Sequence, residues 1–246
     1  MYSLKVSFAT ARRILTQLRH DPRTVALIFV VPCVLLGLLR WLYEDNMVVF
    51  NQIAPALLGI FPFVIMFIVT SITTLRERTS GTMERLMTTP MPKFSLVLGY
   101  MLAFGLLAII QALLAGSLLL FGLGLDVQGS PVFLLVMALA DSLLGTALGI
   151  FVSAFARTEF QAVQFMPALI FPQVLIGGLL LPLDQMPHVL EIAAYCLPLT
   201  YAIDALNEVV KFEGVTAHGW RDLIVVLTFM IGAVILASLT LRRRTK

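Results

Sequence analysis

Charge is scarce in this sequence, and that scarcity excludes whole classes of protein. Of its 246 residues 13% are Asp, Glu, Lys or Arg and 59% are hydrophobic, against about 25% and about 45–50% in an average soluble domain. A mean hydropathy of +0.97 leaves too little polar surface for a water-facing globule. The net charge of +3 is too small to attract nucleic acid. Two cysteines, Cys33 and Cys196, cannot build a disulfide framework, and their expected depths differ too much for a bridge. None of the four lysines follows a glycine, so no P-loop can form. His-Glu-x-x-His and Gly-x-Ser-x-Gly are both missing, and His20, His188 and His218 all fall outside the apolar runs. That leaves no metal cluster and no nucleophile–base pair. The chain is expected not to be an enzyme, and to hold no cofactor of its own.

What is present is long uncharged sequence. Six stretches approach or exceed the roughly 20 apolar residues that cross a hydrocarbon core: residues 24–39, 46–75, 94–125, 132–155, 160–183 and 223–241. The first continues past Arg40 into Trp41 and Tyr43, suited to an interface. The reading is an all-α membrane protein with six transmembrane helices, one transmembrane domain over 1–246. Fourteen of the 17 Lys and Arg fall in residues 1–23, in the loop 76–93, at Arg157 and in the tail. The alternate loops hold only Arg40, Lys211 and Arg221. The positive-inside rule then puts both termini in the cytoplasm of a multi-pass protein of the cell (inner or plasma) membrane.

The flanking segments are patterned too. In residues 1–23, Leu4, Phe8, Ala11, Leu15 and Leu18 recur at helical spacing with Lys5, Arg12, Arg13 and Arg19 off that stripe. This predicts a basic amphipathic helix at the interface. Its charges, with no small-residue cleavage site, do not read as a cleaved leader. Between spans two and three, Arg76-Glu77-Arg78 is followed by Gly81, and Pro90 and Pro92 stop any helix before span three. Thr82–Thr88 can form a short helix with Thr82 as N-cap and Glu84 in its first turn, placing Met83, Leu86 and Met87 on one face. Such a face is either a docking surface or part of a solvated connector.

Pro167, Pro172 and Gly177-Gly178 are expected to kink or break span five. Beyond it, 188–197 and 200–212 are too charged to span and too apolar for a loose loop. They predict an external re-entrant or interfacial helix pair within 183–222. Inside the spans Asp141 is the one deeply placed acid, costly enough to suggest a function by default. It shares a stripe with Gly145, Gly149 and Ser153. Gly145 and Gly149 permit close helix packing, while Asp141 either faces a wet substrate path or bonds a neighbouring helix. Gln111 in span three is a second candidate for lining the path.

The run from Arg76 to Pro90 resembles the signature loop of type-two (export) permeases of ATP-binding-cassette transporters, of the drug-resistance-exporter kind. There an Arg-Glu-Arg precedes Gly-Thr-(Leu/Met)-Glu-x-Leu and Thr-Pro. Gly177-Gly178, the Pro182–Pro187 run and Pro198-Leu199-Thr200-Tyr201 fit the same family. The resemblance implies that Glu77, Gly81, Thr82, Glu84 and Leu86, with Arg76, Arg78, Met83 and Met87 beside them, form a coupling helix seated in an ATPase subunit. It implies two such subunits carrying the ATP and Mg, and a second permease copy or a homologous permease. It also implies ATP-driven export of a hydrophobic or amphipathic cargo, drug or lipid-like. The competing reading is an ion-coupled secondary transporter, which normally shows several intramembrane carboxylates and two related halves.

Overall fold

A computed structural model describes residues 2–82 and 93–240. Local signals set the helix starts. After the amphipathic α1 (Tyr2–Arg19), Asp21 caps α2 (Pro22–Leu42) by accepting from Thr24 N at 3.2 Å and Thr24 Oγ1 at 2.7 Å. These two bonds hold the Asp21 carboxyl below the ordinary carboxylate range. Asn46 caps α3 (Met47–Thr79), Ser130 caps α5 (Pro131–Ser153) and Thr158 caps α6 (Glu159–Ile176), each through its side-chain oxygen. Between α3 and α5 lies α4 (Lys93–Ser117), which ends in a π-helical turn, Leu118–Gly122. A short 3₁₀ turn (Leu183–Gln185), α7 (His188–Tyr195), α8 (Pro198–Lys211) and α9 (Ala217–Thr240) complete the described chain. Six of these helices, α2 to α6 and α9, are long and apolar enough to cross a membrane, as the hydropathy pattern predicts.

The fifth span differs from its predicted bounds. Its helix runs unbroken through Pro167 and Pro172 and stops at Ile176, where Gly177 follows and Gly178 adopts φ +93°. The prolines each remove one N–H, whereas the glycine pair lets the chain leave the helix altogether. The face of α1 that packs on the bundle lies beside its apolar stripe and includes small polar residues. Ser7, Thr10, Ala11, Ile14 and Leu18 are buried, while Leu4 and Phe8 are exposed. Contact with α4 decides this: Ser7 Oγ donates to Ser95 O at 2.9 Å, and a Cβ on Gly99 would lie 2.6 Å from Thr10 Cβ. Small polar residues thus face a glycine, and the bulkier Leu4 and Phe8 turn outward.

The core is organised on α3. About 72% of its apolar window is buried, against 17% for α2, 17% for α6 and 22% for α9, so those three line the periphery. The tightest packing is between α3 and α5. A Cβ on Gly145 would fall 2.4 Å from Phe63 O, one on Gly149 2.5 Å from Phe67 O, and one on Gly59 3.2 Å from Asp141 Oδ2. These three pairs keep one sequence offset over two turns, which makes the two helices parallel neighbours with main chains in contact.

At 33 residues, α3 is about 50 Å long, some 20 Å more than a hydrocarbon core of about 30 Å. Its last turns therefore carry Arg76, Glu77 and Arg78 beyond the apolar layer.

The predicted helix pair is α7 and α8, bent by 93° at Cys196-Leu197. Thr200 Oγ1 donates at 2.7 Å to Ala194 O, which also accepts from Leu197 N at 2.9 Å, and Tyr201 Oη donates to Tyr195 O at 2.8 Å at the end of α7. The start of α8 has no capping side chain of its own, and Gln173 Oε1 of α6 accepts from Leu199 N at 3.4 Å. Leu199, Ala202, Ile203 and Leu206 are buried against the bundle. The far end of α8 is held by Gly129, whose N–H donates to Val209 O at 2.8 Å.

Candidate functional site: an arginine-glutamate-arginine hub

Three consecutive residues at the end of α3 reach three different directions, because successive side chains on an α-helix are about 100° apart. Arg76 forms a two-pronged ion pair with Glu159 at the start of α6, Nε to Oε1 at 2.7 Å and Nη2 to Oε2 at 2.9 Å. Glu77 turns inward and is buried. Its Oε2 accepts from Arg13 Nη2 of α1 at 2.7 Å and from the Tyr100 hydroxyl of α4. The Arg78 guanidinium donates to Ser153 O, the last residue of α5. Less than one turn of α3 thus holds α1, α4, α5 and α6 together.

The three links differ in strength. The Arg76–Glu159 pair is solvent-exposed, its side chains retaining about half of their accessible surface, so its contribution to stability is under about 1 kcal/mol despite good geometry. The Glu77 carboxylate keeps 7% of its side-chain surface and Arg13 keeps 27%. Losing one partner there strands a desolvated charge, which costs more than the pair gains when intact. Arg78 takes a carbonyl left free at the C-terminal end of α5, where a cation also meets the negative end of the helix dipole.

Beyond the hub Ser80 Oγ bonds Glu77 O at 3.3 Å and contacts Thr82 Oγ1 at 3.0 Å. Gly81 takes φ +73°, a left-handed conformation that frees the chain from α3. Of the residues proposed for coupling, Met83, Glu84, Leu86 and Met87 lie outside the described residues. Arg76, Glu77, Arg78, Gly81 and Thr82 form the near side of that segment, and Lys93 resumes the chain as α4.

A sequence profile of the ABC-2 type transporter family matches residues 5–210 of this chain. The chain belongs to the ABC-2 type transporter family. It is 26% identical over 197 residues to ABC transporter G family member 20 of Dictyostelium discoideum, covering 79% of this chain and 27% of that protein. It is 27% identical over 169 residues to the probable multidrug ABC transporter permease YbhS of Escherichia coli (strain K12), covering 68% of this chain and 45% of that one. With the inner membrane transport permease YhhJ of the same strain it shares 28% over 142 residues, 57% of this chain and 37% of the relative. The chain thus spans between about a quarter and under half of these curated relatives. None of these likenesses supports the ion-coupled alternative.

In this ABC-2 type chain, the two residues considered for a substrate path sit in sealed positions. Asp141 has no solvent exposure, and neither carboxylate oxygen has a hydrogen-bond partner among the described residues; it lies against Gly59 of α3, which also touches Leu206 of α8. Gln111 is equally buried, and its Nε2 donates to Ile28 O of α2 at 2.7 Å. That carbonyl is free for a simple reason. The residue four further on is Pro32, which has no N–H to return the helical bond. In the described conformation, then, Gln111 repairs a proline gap and Asp141 packs in the α3–α5 seam beside Gly145 and Gly149.

The sequence marks none of Arg13, Tyr100 and Glu159 as a site residue, and Ser153 only as part of the Asp141 stripe. Arg13 reads there as one of several interfacial arginines and Glu159 as an ordinary first-turn acid. Tyr100 lies inside an apolar span with nothing to mark it. Only their convergence on three adjacent residues reveals them.

Proposed function

We propose that this chain is the membrane-spanning permease part of an ATP-driven exporter that moves a hydrophobic or amphipathic cargo, drug or lipid-like, out of the cytoplasm. It forms the pathway with a second copy or a homologous permease. It contributes no ATPase site, and ATP and Mg are bound by two separate ATP-binding-cassette subunits. Both termini and the Arg76 end face the cytoplasm, an orientation supported by the excess of Lys and Arg there. No nucleic acid is involved.

The observation that carries the reading is the hub. A force on the segment 83–92 arrives first at Arg76, Glu77 and Arg78, and these grip α6, α1 with α4, and α5 respectively. ATP-driven closure of the docked subunits, pressing on a helix built from Thr82 to Thr88, would move these helices as one unit. The far ends follow: α6 is tied to α8 through Gln173 and Leu199, and α3 meets α8 at Gly59 and Leu206. The alternating conformations are thus biased by nucleotide at one end and expressed at the re-entrant pair at the other. The cargo class is supported by the apolar frame and by the multidrug designation of the relative YbhS.

The test is Glu84→Arg and Leu86→Arg. Each is expected to abolish export and weaken capture of the ATPase subunit in a pull-down, while the six spans still insert. Undiminished ATPase binding, or export driven by a proton gradient with no ATPase present, overturns the reading.

A further inference from the structure

Away from the hub, at the opposite end of the bundle, the start of α3 and the end of α8 flank an open cleft of about 250 Å³ lined by Val48, Asn51, Gln52, Asn207, Val210 and Lys211. Its polar groups are unspent. Gln52 and Lys211 make no hydrogen bond or ion pair among the described residues, and Asn207 Oδ1 is buried without a partner. Asn51 is partly engaged, its Oδ1 accepting from Asp126 N at 3.4 Å. Glu208, one turn before Lys211 on α8, accepts from the Thr216 hydroxyl, and Asp204 two turns before it lies within electrostatic reach of Lys211.

We propose that this cleft binds the anionic head of an amphiphile, an oxyanion such as a phosphate ester with a hydroxyl or an N–H-bearing (primary) ammonium group beside it. Lys211 supplies a full positive charge with three N–H donors, and the carboxamides of Gln52 and Asn207 supply neutral donors, so an oxyanion is the complement. Asn207 Oδ1 is an acceptor with no donor, and a hydroxyl or ammonium next to the oxyanion would satisfy it. The volume is enough for a headgroup. Val48 and Val210 give the mouth an apolar side on which the first carbons of a tail can lie. The depth fits as well. Val48 is the second residue of α3 and Lys211 the last of α8, the level at which a spanning helix leaves hydrocarbon for headgroups. The proposal deepens the export reading and rests on it in one respect, the assignment of this end to the outer leaflet. Headgroup chemistry could come from a bilayer phospholipid or from an anionic cargo in transit.

The experiment uses the full chain purified in detergent without any ATPase, titrated with short-chain phosphatidylglycerol, with glycerol 3-phosphate, and with short-chain phosphatidylcholine, and read by thermal shift. Saturable stabilisation by phosphatidylglycerol is expected, and Lys211→Met should weaken its apparent affinity about tenfold to a hundredfold, the loss of one charge-assisted contact. Lys211→Arg should preserve it. Lys211 is exposed, so the methionine variant is expected to fold, and Asn207→Leu is the independent second variant. Stabilisation by glycerol 3-phosphate as well assigns recognition to the head alone, open to a soluble anionic cargo. Stabilisation by the lipid only assigns it to a membrane amphiphile. Equal affinity for phosphatidylcholine, or a shift unchanged in both variants, overturns the proposal. Because no ATPase is present, this result is independent of the Glu84 and Leu86 test, and either can fail alone.

Discussion

Replacing Gly145 with alanine adds one methyl group at the closest approach of two main chains. The new Cβ would lie 2.4 Å from Phe63 O and 3.1 Å from the Phe63 carbonyl carbon and Cα. An ordinary contact needs roughly 1 Å more, and the obstacle is backbone, which cannot swing aside as a side chain does. Overpacking of this kind costs about 1–3 kcal/mol, and a main-chain obstacle places the expected loss near the upper end, about 3 kcal/mol. For a chain of this size each kcal/mol moves the melting midpoint by about 2–4 °C, so a fall of about 6–12 °C is expected. Gly149→Ala meets Phe67 O at 2.5 Å and should behave alike. The double variant should lose less than the sum, since one separation of α3 from α5 relieves both clashes. Gly232→Ala on α9 is the control. Nothing lies within 4 Å of its Cβ, and alanine is the better helix former by about 1 kcal/mol, so melting should not fall. The assay is size-exclusion chromatography of the detergent-solubilised protein after graded heating. Gly145→Ala melting at the wild-type midpoint would refute main-chain contact between α3 and α5.

Gln111→Leu should destabilise by about 1–3 kcal/mol because it strands the Ile28 carbonyl; adding Pro32→Ala, which restores the missing N–H, should recover most of the loss, and failure to rescue in the same heating assay refutes the repair. Arg13→Ala and Glu77→Gln should each cost about 1–3 kcal/mol, with the double variant clearly less costly than their sum; strict additivity would show that the two side chains do not pair. Arg76→Glu and Glu159→Arg should each shift stability by less than about 1 kcal/mol yet impair export, and the charge-swapped pair should recover it. Singles that export at the wild-type rate would show that α6 does not follow α3 through this contact. Asp141→Asn is nearly isosteric, so assembly should be unchanged; export at the wild-type rate would assign the residue to packing.

Long uncharged runs state their own structure, because no other arrangement hides their backbone polar groups in lipid. Caps at Asp21, Asn46, Ser130 and Thr158 fixed helix starts locally. The re-entrant pair was legible for the same reason, from Pro198 dividing two stretches unfit to span. The end of span five was less so. Two prolines and two glycines offered competing breaks, and their ranking depends on which lost hydrogen bond the surroundings can absorb. The apolar stripe of α1 does not show which residues meet the bundle, because Gly99 accepts only small ones such as Ser7 and Thr10.

Six apolar helices, the Lys and Arg asymmetry among their loops, and a marked segment between the second and third are legible from the residues alone. Those properties reside in single stretches of chain, where composition and period suffice. What Arg76, Glu77 and Arg78 hold, why Gln111 is polar, and that Asp141 is sealed beside Gly59 follow from how the helices pack. These are relations between residues as many as 83 positions apart, and no local pattern encodes which distant carbonyl or carboxylate a side chain will meet once helices pack.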